Sequence, residues 1–386
     1  MLYFLLIFTP LAIVLEFIHT DHIVLFVIAS IALIPLAKLI GDSTEHLSLH
    51  YGSTLGSLLN VTFGNAAEII IAIVAINAGL IDLVKASITG AILGNILLIF
   101  GLSILAGGFR YKEQHFSQEN VGLQSSMLFL AIIGLAVPTI LVYTLNAEGA
   151  NANIENQLNV QILSDILAFL LLAVYIAGII FTFFTHKHLF PTQSHSNNKK
   201  DQNEEESKNE KHRTTAWSKK KSFLFLGLSM AGVIVVSEML VGSVEATAQQ
   251  FGFGELFVGA IIIGIVGNAA EHSSAIVLAR KGKIELSIGI AAGSGTQIAL
   301  FVVPILVIAG IIMNQPFSLV FTLFELVTVF LAAIILNLIA RDGKSNWFEG
   351  IMLTLVYVII AIGFSSLNKG KIPIKIQFYP IRSHFF

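Results

Sequence analysis

The sequence is a succession of long apolar stretches, and this pattern decides what kind of structure the chain can form. Of its 386 residues, 55% are hydrophobic and only 12% are charged, about half the charged fraction of a typical soluble domain. A helix needs roughly 20 mostly apolar residues to cross a bilayer, and it satisfies its backbone polar groups internally. The sequence therefore predicts an all-α membrane protein. Its eleven predicted spans are 2–18, 22–40, 54–78, 84–107, 124–145, 161–185, 223–242, 257–279, 286–313, 318–340 and 347–366.

The composition also excludes several classes of function. The chain has 22 Lys and Arg residues against 24 Asp and Glu, a net charge of −2, so it offers no basic surface for nucleic acid. It has no cysteine, which excludes disulfides, thiolate catalysis and cysteine-based metal clusters. The sequence contains no P-loop, dinucleotide fingerprint or nucleophile elbow. We therefore expect a membrane protein that is not an enzyme and has no resident cofactor.

The predicted spans form two groups separated by a polar segment. Residues 191–222 are rich in charged and amide side chains, a composition that cannot bury enough apolar surface to fold. Its acidic cluster, Glu204–Glu206, either attracts cations near a pore mouth or belongs to a solvated connector, and the second interpretation is the simpler. The expected units are an extra N-terminal helix (1–21), a first five-helix repeat (22–190), the polar linker (191–222), a second five-helix repeat (223–366) and a polar tail (367–386).

Lys and Arg residues fall mostly in loops on one side of the predicted spans. The linker carries many of them, whereas the loops on the other side contain only Lys85. Because basic loops stay in the cytoplasm, the N-terminus and the linker are predicted to be cytoplasmic, in a plasma membrane or a vacuolar-type membrane. The C-terminal tail, with four cations on the outer side, does not follow this rule.

An internal repeat relates the two groups of spans. A shift of 203 residues aligns 64–90 with 267–293, with twelve identities in 27 positions, and the run Gly-Asn-Ala-Ala-Glu occurs intact at 64–68 and 267–271. Chance similarity between apolar helices would match Leu, Ile and Val rather than Asn and Glu. Because each group contains an odd number of spans, the second must cross the membrane in the opposite sense. Inverted repeats of this kind are typical of alternating-access transporters, with the substrate site between the halves.

Each copy of the repeat places a glutamate, Glu68 or Glu271, near the middle of a predicted span. An acidic residue at the bilayer centre costs about 2.5–3.5 kcal/mol, and no Lys or Arg lies at the same depth in the predicted spans. Two such acids must hold protons or share a cation, since desolvated neighbouring carboxylates bind protons more tightly. If Ca²⁺ displaces two protons, the two loaded states carry equal charge, while the empty ionised site is too costly to cross. These properties predict obligatory exchange.

The residues around the two glutamates supply mainly oxygen atoms. A glycine stands four positions before each acid, where it allows a helix break that frees carbonyl oxygens, and an asparagine stands three positions before it. Oxygen-rich sites suit Ca²⁺, which takes 6–8 oxygen ligands. The predicted ion-binding residues are Gly64, Asn65, Glu68, Asn95, Gly267, Asn268, Glu271, Ser294 and Gln297.

Other polar residues receive weaker assignments. His272 follows the second glutamate directly, and neighbouring helix residues point about 100° apart, so it is predicted as a proton relay or as a support for the ligands. Asp42 and Glu245 are matched by the repeat near span ends, where they are either cation-attracting vestibule groups or ordinary helix-end acids. Glu238 and Glu325 lie within predicted spans, and each either faces the cation pathway or accepts a hydrogen bond.

At these residues the sequence resembles the calcium/proton exchanger family, the cation/proton antiporters of the calcium/cation antiporter superfamily. The resemblance is based on GNAAE at 64–68 with GAILGN at 90–95, and on GNAAEH at 267–272 with GSGTQIALFVVP at 293–304. It covers residues 22–366. The resemblance implies a sodium/calcium-exchanger-like fold of eleven helices arranged as one plus five plus five, and Ca²⁺ export driven by inward proton flow.

The resemblance also implies roles for individual residues. Glu68 and Glu271 would be the exchange carboxylates that bind the metal, and Asn65 and Asn268 their partners at the helix breaks. The remaining positions would complete the site or the proton path: Asn95, Ser294 and Gln297. The acids of the linker are fewer than the family's acidic cytoplasmic stretch implies, which argues against cation sensing there.

Ca²⁺/H⁺ exchange has three alternatives. A Na⁺-coupled exchanger of related fold is the nearest, although sodium coupling usually calls for more coordinating groups. A channel needs a continuous polar lining, and an intramembrane enzyme needs a nucleophile or a metal triad in addition to paired acids. The expected partners are Ca²⁺, protons and the lipid bilayer, with Mn²⁺ as a further candidate cation and no nucleic acid. A homo-oligomer is allowed but not required.

Overall fold

The computed structural model of the chain describes residues 2–51, 58–59, 62–147, 154–186 and 217–367. Glu204–Glu206 of the linker lie outside the described residues, as does the C-terminal tail after residue 367. Parts of the third predicted span, residues 54–57 and 60–61, also lie outside them, as do residues 52–53 before it.

Helices make up most of the described chain, joined by short turns. A 3₁₀ turn at Leu2–Ile7 leads into the first helix. The helices are α1 (Phe8–Phe17), α2 (His22–Tyr51), α3 (Ala66–Asn77), α4 (Ile81–Gly108), α5 (Gln118–Ala147), α6 (Ile154–Ile180), α7 (Lys219–Phe251), α8 (Glu255–Gly267), α9 (Ala269–Arg280), α10 (Ile284–Ile312), α11 (Leu323–Ala340) and α12 (Trp347–Ser366). Two short antiparallel strands, β1 (Gln114–His115) and β2 (Lys344–Ser345), join two loops.

The helix lengths match a protein that crosses a membrane many times. Within the described residues, eight helices are long and apolar enough to span a bilayer, and α8 with α9 forms a ninth, bent span. The segments Leu2–Phe17 and α3 are shorter apolar helices. This arrangement is the predicted all-α membrane architecture, and it is consistent with the predicted number of eleven helices.

Helix α2 is longer than predicted, because it continues past residue 40 to Tyr51. The polar residues that suggested an end of the span remain helical. Ser43 and Thr44 are both buried, and the Thr44 hydroxyl donates to the Ile40 carbonyl oxygen at 3.1 Å. A hydroxyl that bonds to its own helix needs no water, so these residues do not stop the helix.

The centre of the bundle is α4, in which 83% of the most apolar stretch is buried, against 17% in α6. Helix α4 belongs to the first half of the chain and crosses α8 of the second half with the two backbones in contact. A Cβ atom built on Gly90 would lie 1.7 Å from the Ala260 carbonyl oxygen, and one on Gly264 would lie 2.8 Å from the Gly90 carbonyl carbon. Only glycine permits this approach, which interlocks the two halves at the centre.

Two of the central helices contain a π turn at corresponding places. One covers Gly94–Ile99 in α4 and the other Ile298–Val302 in α10. The predicted site residue Asn95 lies in the first, and Gln297 directly precedes the second. Turns of this type are rare and frequently occur at functional sites. They widen both helices beside the residues that the sequence predicts to surround the glutamates.

The side of the protein on which α6 ends and α7 begins is called the linker side. Two sets of contacts hold the end of α2 on this side. The Lys38 ammonium lies 3.0 Å from Asp42 Oδ1, and the Tyr3 hydroxyl donates to Asp42 Oδ2. The bond from Tyr3 attaches the extra N-terminal segment to α2. Farther along α2, the His46 ring stacks on Trp217 at 4.5 Å between centroids, and His50 Nε2 lies 2.7 Å from the Trp217 carbonyl oxygen. The chain entering α7 is thereby held against α2.

Two charged residues assigned from the sequence have structural partners. Lys85 was predicted to lie in a loop, but it lies in α4 and is 8% exposed, with Nζ 3.4 Å from Ser318 Oγ. The prediction was wrong because α4 begins three residues earlier than expected and packs the aliphatic part of Lys85 inward. Glu325 is 2% exposed and accepts hydrogen bonds from the backbone and hydroxyl of Thr322 in a capping box at the start of α11.

Candidate cation-binding site

Both copies of the repeated motif interrupt a helix at the asparagine. Asn268 separates α8 from α9, which are bent by 60°, and Asn65 directly precedes α3. The two asparagines have nearly the same backbone angles, φ −93° and ψ 16° for Asn65 and φ −94° and ψ 6° for Asn268. The repeat in sequence is thus a repeat in local geometry.

The breaks place Glu68 and Glu271 in the first turns of α3 and α9. The first turn of a helix carries a partial positive charge from its unpaired backbone N–H groups, which favours a nearby carboxylate. This partial charge compensates the acids in addition to any Lys or Arg side chain. The break itself supplies a compensation, which the Gly-Asn pair before each acid signals.

Each glutamate lies against the glycine of the other repeat. A Cβ atom built on Gly64 would be 3.5 Å from Glu271 Oε1, and one built on Gly267 would be 3.5 Å from Glu68 Oε1. The contacts are reciprocal, so the two acids converge on one interior region. The absence of a side chain on either glycine leaves open space next to each carboxylate.

One oxygen of each carboxylate lacks a partner among the described residues. Oε2 of Glu68 and Oε2 of Glu271 are both buried and accept no hydrogen bond from the described part of the chain. Burying an ionised carboxylate oxygen without a partner is costly. Each of these atoms therefore requires a proton or a cation.

A narrow cavity of about 20 Å³ lies beside Glu68. Its walls come from α3, α4, α8 and α10, and among the described residues its polar side chains other than Glu68 are Ser87 and Asn268. A space of this size holds one water molecule, and a single dehydrated cation has a similar size. Ser87 is not among the residues predicted from the sequence.

The asparagines at the breaks are bound by residues of the opposite repeat. The Asn65 side-chain amide donates to Gln297 Oε1 at 3.0 Å. The Asn95 amide donates to Asn268 Oδ1 at 3.3 Å. The shift of 203 residues aligns Asn95 with Gln297 only when one residue is skipped. In the structure, each of the two nonetheless bonds to the asparagine at the helix break of the opposite repeat.

Asn95 of the first repeat is the centre of a larger hydrogen-bond network with residues of the second repeat. Its amide also donates to Ser294 Oγ at 3.2 Å, and His272 Nε2 lies 3.2 Å from its Oδ1. Because a carbonyl oxygen only accepts, Nε2 of His272 carries the hydrogen. Asn268 in turn donates to the Gly264 carbonyl oxygen at 3.2 Å. The His272 ring is thus directed at Asn95.

The two predicted vestibule acids have different surroundings. Asp42, on the linker side, is paired with Lys38. Glu245, near the other end of α7, is exposed and accepts a hydrogen bond from Gln249 at 3.3 Å. With Glu238 it lines a wide cavity of about 530 Å³. Among the described residues, no group of three His, Asp or Glu side chains is close enough to hold a metal, so a cation near Glu68 and Glu271 would also need neutral oxygens.

Fold and site together define a membrane protein of two related halves with paired carboxylates between them. The profile described as sodium/calcium exchanger protein matches residues 22–185 and 221–365. The chain belongs to this family, which agrees with the resemblance seen in the motifs.

Two relatives and one solved structure show which members of this family the chain is similar to. It is 41% identical over 368 residues to the Ca²⁺/H⁺ antiporter of Aphanothece halophytica, covering 93% of this chain and 95% of that protein. It is 41% identical over 355 residues to the Ca²⁺/H⁺ antiporter ChaA of Bacillus subtilis strain 168, covering 92% and 95%. The structure of native YfkE matches with a TM-score of 0.77 at 36% identity, covering 95% of this chain and 99% of that one. These relatives are antiporters, so the family is one of transporters rather than enzymes.

Proposed function

We propose that this protein exchanges Ca²⁺ for H⁺ across a membrane, with Glu68 and Glu271 as the carboxylates that both cargoes share. The observation on which this rests is the reciprocal contact of each glutamate with the glycine of the other repeat, which brings two buried carboxylate oxygens without protein partners into one region. The names of the two relatives at 41% identity support the choice of cargo.

The chemistry of the site favours a hard divalent cation. Two carboxylates neutralise the charge of Ca²⁺, and Ca²⁺ accepts amide and backbone oxygens in a flexible shell. The interrupted helices supply such oxygens beside the acids, at Asn65 and Asn268 and at the carbonyls before them. Mn²⁺ accepts similar ligands, so it is a competing cargo.

The same charges make the exchange obligatory. With Ca²⁺ bound, or with both glutamates protonated, the region has the same net charge. With neither Ca²⁺ nor protons bound, two negative charges remain in a site with little access to water. The helix N-termini offset only part of the cost of burying these charges. The protein with an empty site therefore rarely switches the site from one side of the membrane to the other. As a result, one cargo moves in one direction only when the other moves back.

The neutral residues around the acids hold the ligands in position. The bond from Asn65 to Gln297 and the bond from Asn95 to Asn268 each tie a helix break of one repeat to a helix of the other. His272 acts through Asn95, whose oxygen it binds. We assign these residues to the orientation of the site, with Ser294 completing the network.

The direction of transport follows from the proposed orientation. With the linker in the cytoplasm, inward proton flow drives Ca²⁺ out of the cytoplasm, across a plasma membrane or into a vacuole-like compartment. The two inverted halves allow the site to face each side in turn. Glu245 is the stronger vestibule candidate, because the charge of Asp42 is already offset by Lys38.

Transport in sealed vesicles tests the proposal. The full chain is reconstituted, a pH gradient is imposed, and uptake of ⁴⁵Ca²⁺ is followed. We expect uptake by the unaltered protein and its loss in E68Q and in E271Q, since each variant leaves one carboxylate for a divalent cation. The matched control is E285Q, because Glu285 also lies in the first turn of a helix but is exposed and is not one of the motif residues around the two acids.

The possible results separate the alternatives. Normal uptake in either E68Q or E271Q would overturn the assignment of the site. Uptake driven by a Na⁺ gradient but not by a pH gradient would favour Na⁺-coupled exchange. Competition by unlabelled Mn²⁺ measures whether the site accepts that ion as well.

A further inference from the structure

Ser87 is the one residue between Leu83 and Leu97 of α4 that is not buried. Helix α4 is the most enclosed of the spanning helices described, so an open position within this stretch is unusual. The open space that Ser87 meets includes the cavity beside Glu68, which Ser87 lines together with Ile88 and Ala91.

The Ser87 hydroxyl is oriented by its own helix. It donates its hydrogen to the Val84 carbonyl oxygen at 2.8 Å. A hydroxyl has one hydrogen and two lone pairs, so this bond leaves Oγ able to act only as an acceptor or as a metal ligand. In a cavity with mostly apolar walls, such an oxygen is a natural contact for a cation or for its bound water.

The course of the helices places Ser87 on one particular side of Glu68. From Glu68, α3 runs away from the linker side, and Ile71 and Ala72 are the next residues of the cavity wall in that direction. Helix α4 returns from the far side and reaches Ser87 before Ala91. Ser87 therefore lies toward the end of the cavity that is farther from the linker side.

The internal repeat does not account for Ser87. The shift of 203 residues places Ile290 at its position, and it places Ser294 at the position of Ala91. The two halves thus carry a hydroxyl on different turns of the equivalent helix. A serine that served only to build the repeated fold would be expected in both halves.

We propose that Ser87 supplies an oxygen contact to Ca²⁺ between Glu68 and the membrane face opposite the linker side. This inference rests on the proposed exchange of Ca²⁺ and adds to it a residue that affects one face of the protein. Loss of the hydroxyl should weaken the capture of Ca²⁺ from the opposite face while leaving turnover at saturating Ca²⁺ nearly unchanged.

The test compares three variants of the full chain in vesicles of each orientation, with initial ⁴⁵Ca²⁺ uptake measured against Ca²⁺ concentration. We expect S87A to raise the KM for Ca²⁺ at the opposite face about fivefold, the effect of one lost polar contact of ordinary strength, with kcat within about twofold of the unaltered protein. S87T keeps the hydroxyl and should retain the original KM. The control is S30A on α2, because Ser30 also donates to its own helix, at 2.7 Å to the Phe26 carbonyl oxygen, but is buried and is not among the described residues that line the cavity.

An unchanged KM in S87A at the opposite face would overturn the inference. A raised KM in S87T equal to that of S87A would also overturn it, since the cause would then be packing rather than the hydroxyl. If S87A does not fold, S87G removes the same group and is measured in its place. Failure of the unaltered protein to take up Ca²⁺ would instead overturn the proposed function, so the two failures are distinguishable.

Discussion

The side-chain amide of Asn65 donates a 3.0 Å hydrogen bond to Gln297, 232 positions away in the other repeat. Asn268 of the second repeat receives the corresponding bond from Asn95 of the first. Each helix break is therefore held by a residue from the half of the protein to which it does not belong. Any movement of one half that changes the site must also act on these two bonds.

The first prediction is that Asn65 and Gln297 are energetically coupled. N65A and Q297A should each lower the thermal stability of the purified protein, and the double variant should lose less than the two single losses added together, by about 1 kcal/mol of coupling. The measurement is thermal unfolding in detergent for all four proteins. Additive losses would show that the bond contributes nothing.

An unrelated residue provides the control for this cycle. Gln161 donates to Asp165 at 2.8 Å within α6 and is not among the described residues that line the cavity beside Glu68. The losses in N65A and Q161A should therefore add, because distant substitutions without shared partners are usually independent.

The second prediction concerns the two glycines of the motif. A methyl group on Gly64 or Gly267 would lie about 3.5 Å from a carboxylate oxygen of the opposite repeat, an ordinary contact distance. G64A and G267A should therefore fold, but the methyl group fills the space beside the carboxylate in which a cation would be coordinated. We expect near-normal thermal stability with Ca²⁺ uptake reduced at least tenfold. Undiminished uptake would mean that the cation does not occupy this space.

The sequence was sufficient to predict the all-α membrane architecture and the family, and it pointed to polar residues that the structure places near Glu68 and Glu271. The motif residues are polar in an apolar chain, so their positions were visible without a structure. What the sequence did not reveal was which residue of one repeat binds which of the other, because pairing across helices depends on packing and not on periodicity. Ser87 was not predicted for the same reason, since a serine on a helix is a candidate ligand only when the structure places a cavity beside it.

Two assignments failed because they treated polar residues as signals for the membrane boundary. Lys85 was placed in a loop, yet its long aliphatic part allows it to be buried within α4. The end of α2 was placed at residue 40, although Thr44 bonds to the helix itself. In both cases the contacts of one polar side chain allow it to remain inside a helix, which hydropathy alone does not predict.

The third prediction concerns the contact between Trp217 and α2. The chain contains two tryptophans, so W347F leaves Trp217 as the only source of indole fluorescence. In that background, H46A removes the ring stacked on Trp217 at 4.5 Å and should increase quenching of the fluorescence by acrylamide, with a loss of about 1 kcal/mol in stability. H22A, at the other end of α2, should change neither quantity. Equal quenching in H46A and its parent would show that the stacking is absent in the membrane-extracted protein.

The fourth prediction is that the contact between α4 and α8 does not tolerate a side chain. A Cβ atom on Gly90 would lie 1.7 Å from the Ala260 carbonyl oxygen, and a clash with backbone is relieved only if the two helices separate. Overpacking in a core typically costs 1–3 kcal/mol or more, so G90A should lower the unfolding temperature by several degrees or prevent folding. G227A is the matched control, because Gly227 is also within a helix but is exposed and has no atom within 4 Å of the added methyl group among the described residues. Gel filtration and thermal unfolding in detergent distinguish the two variants. A stable G90A protein would mean that the halves are not interlocked at this crossing, and the convergence of Glu68 and Glu271 on one region would then need another explanation.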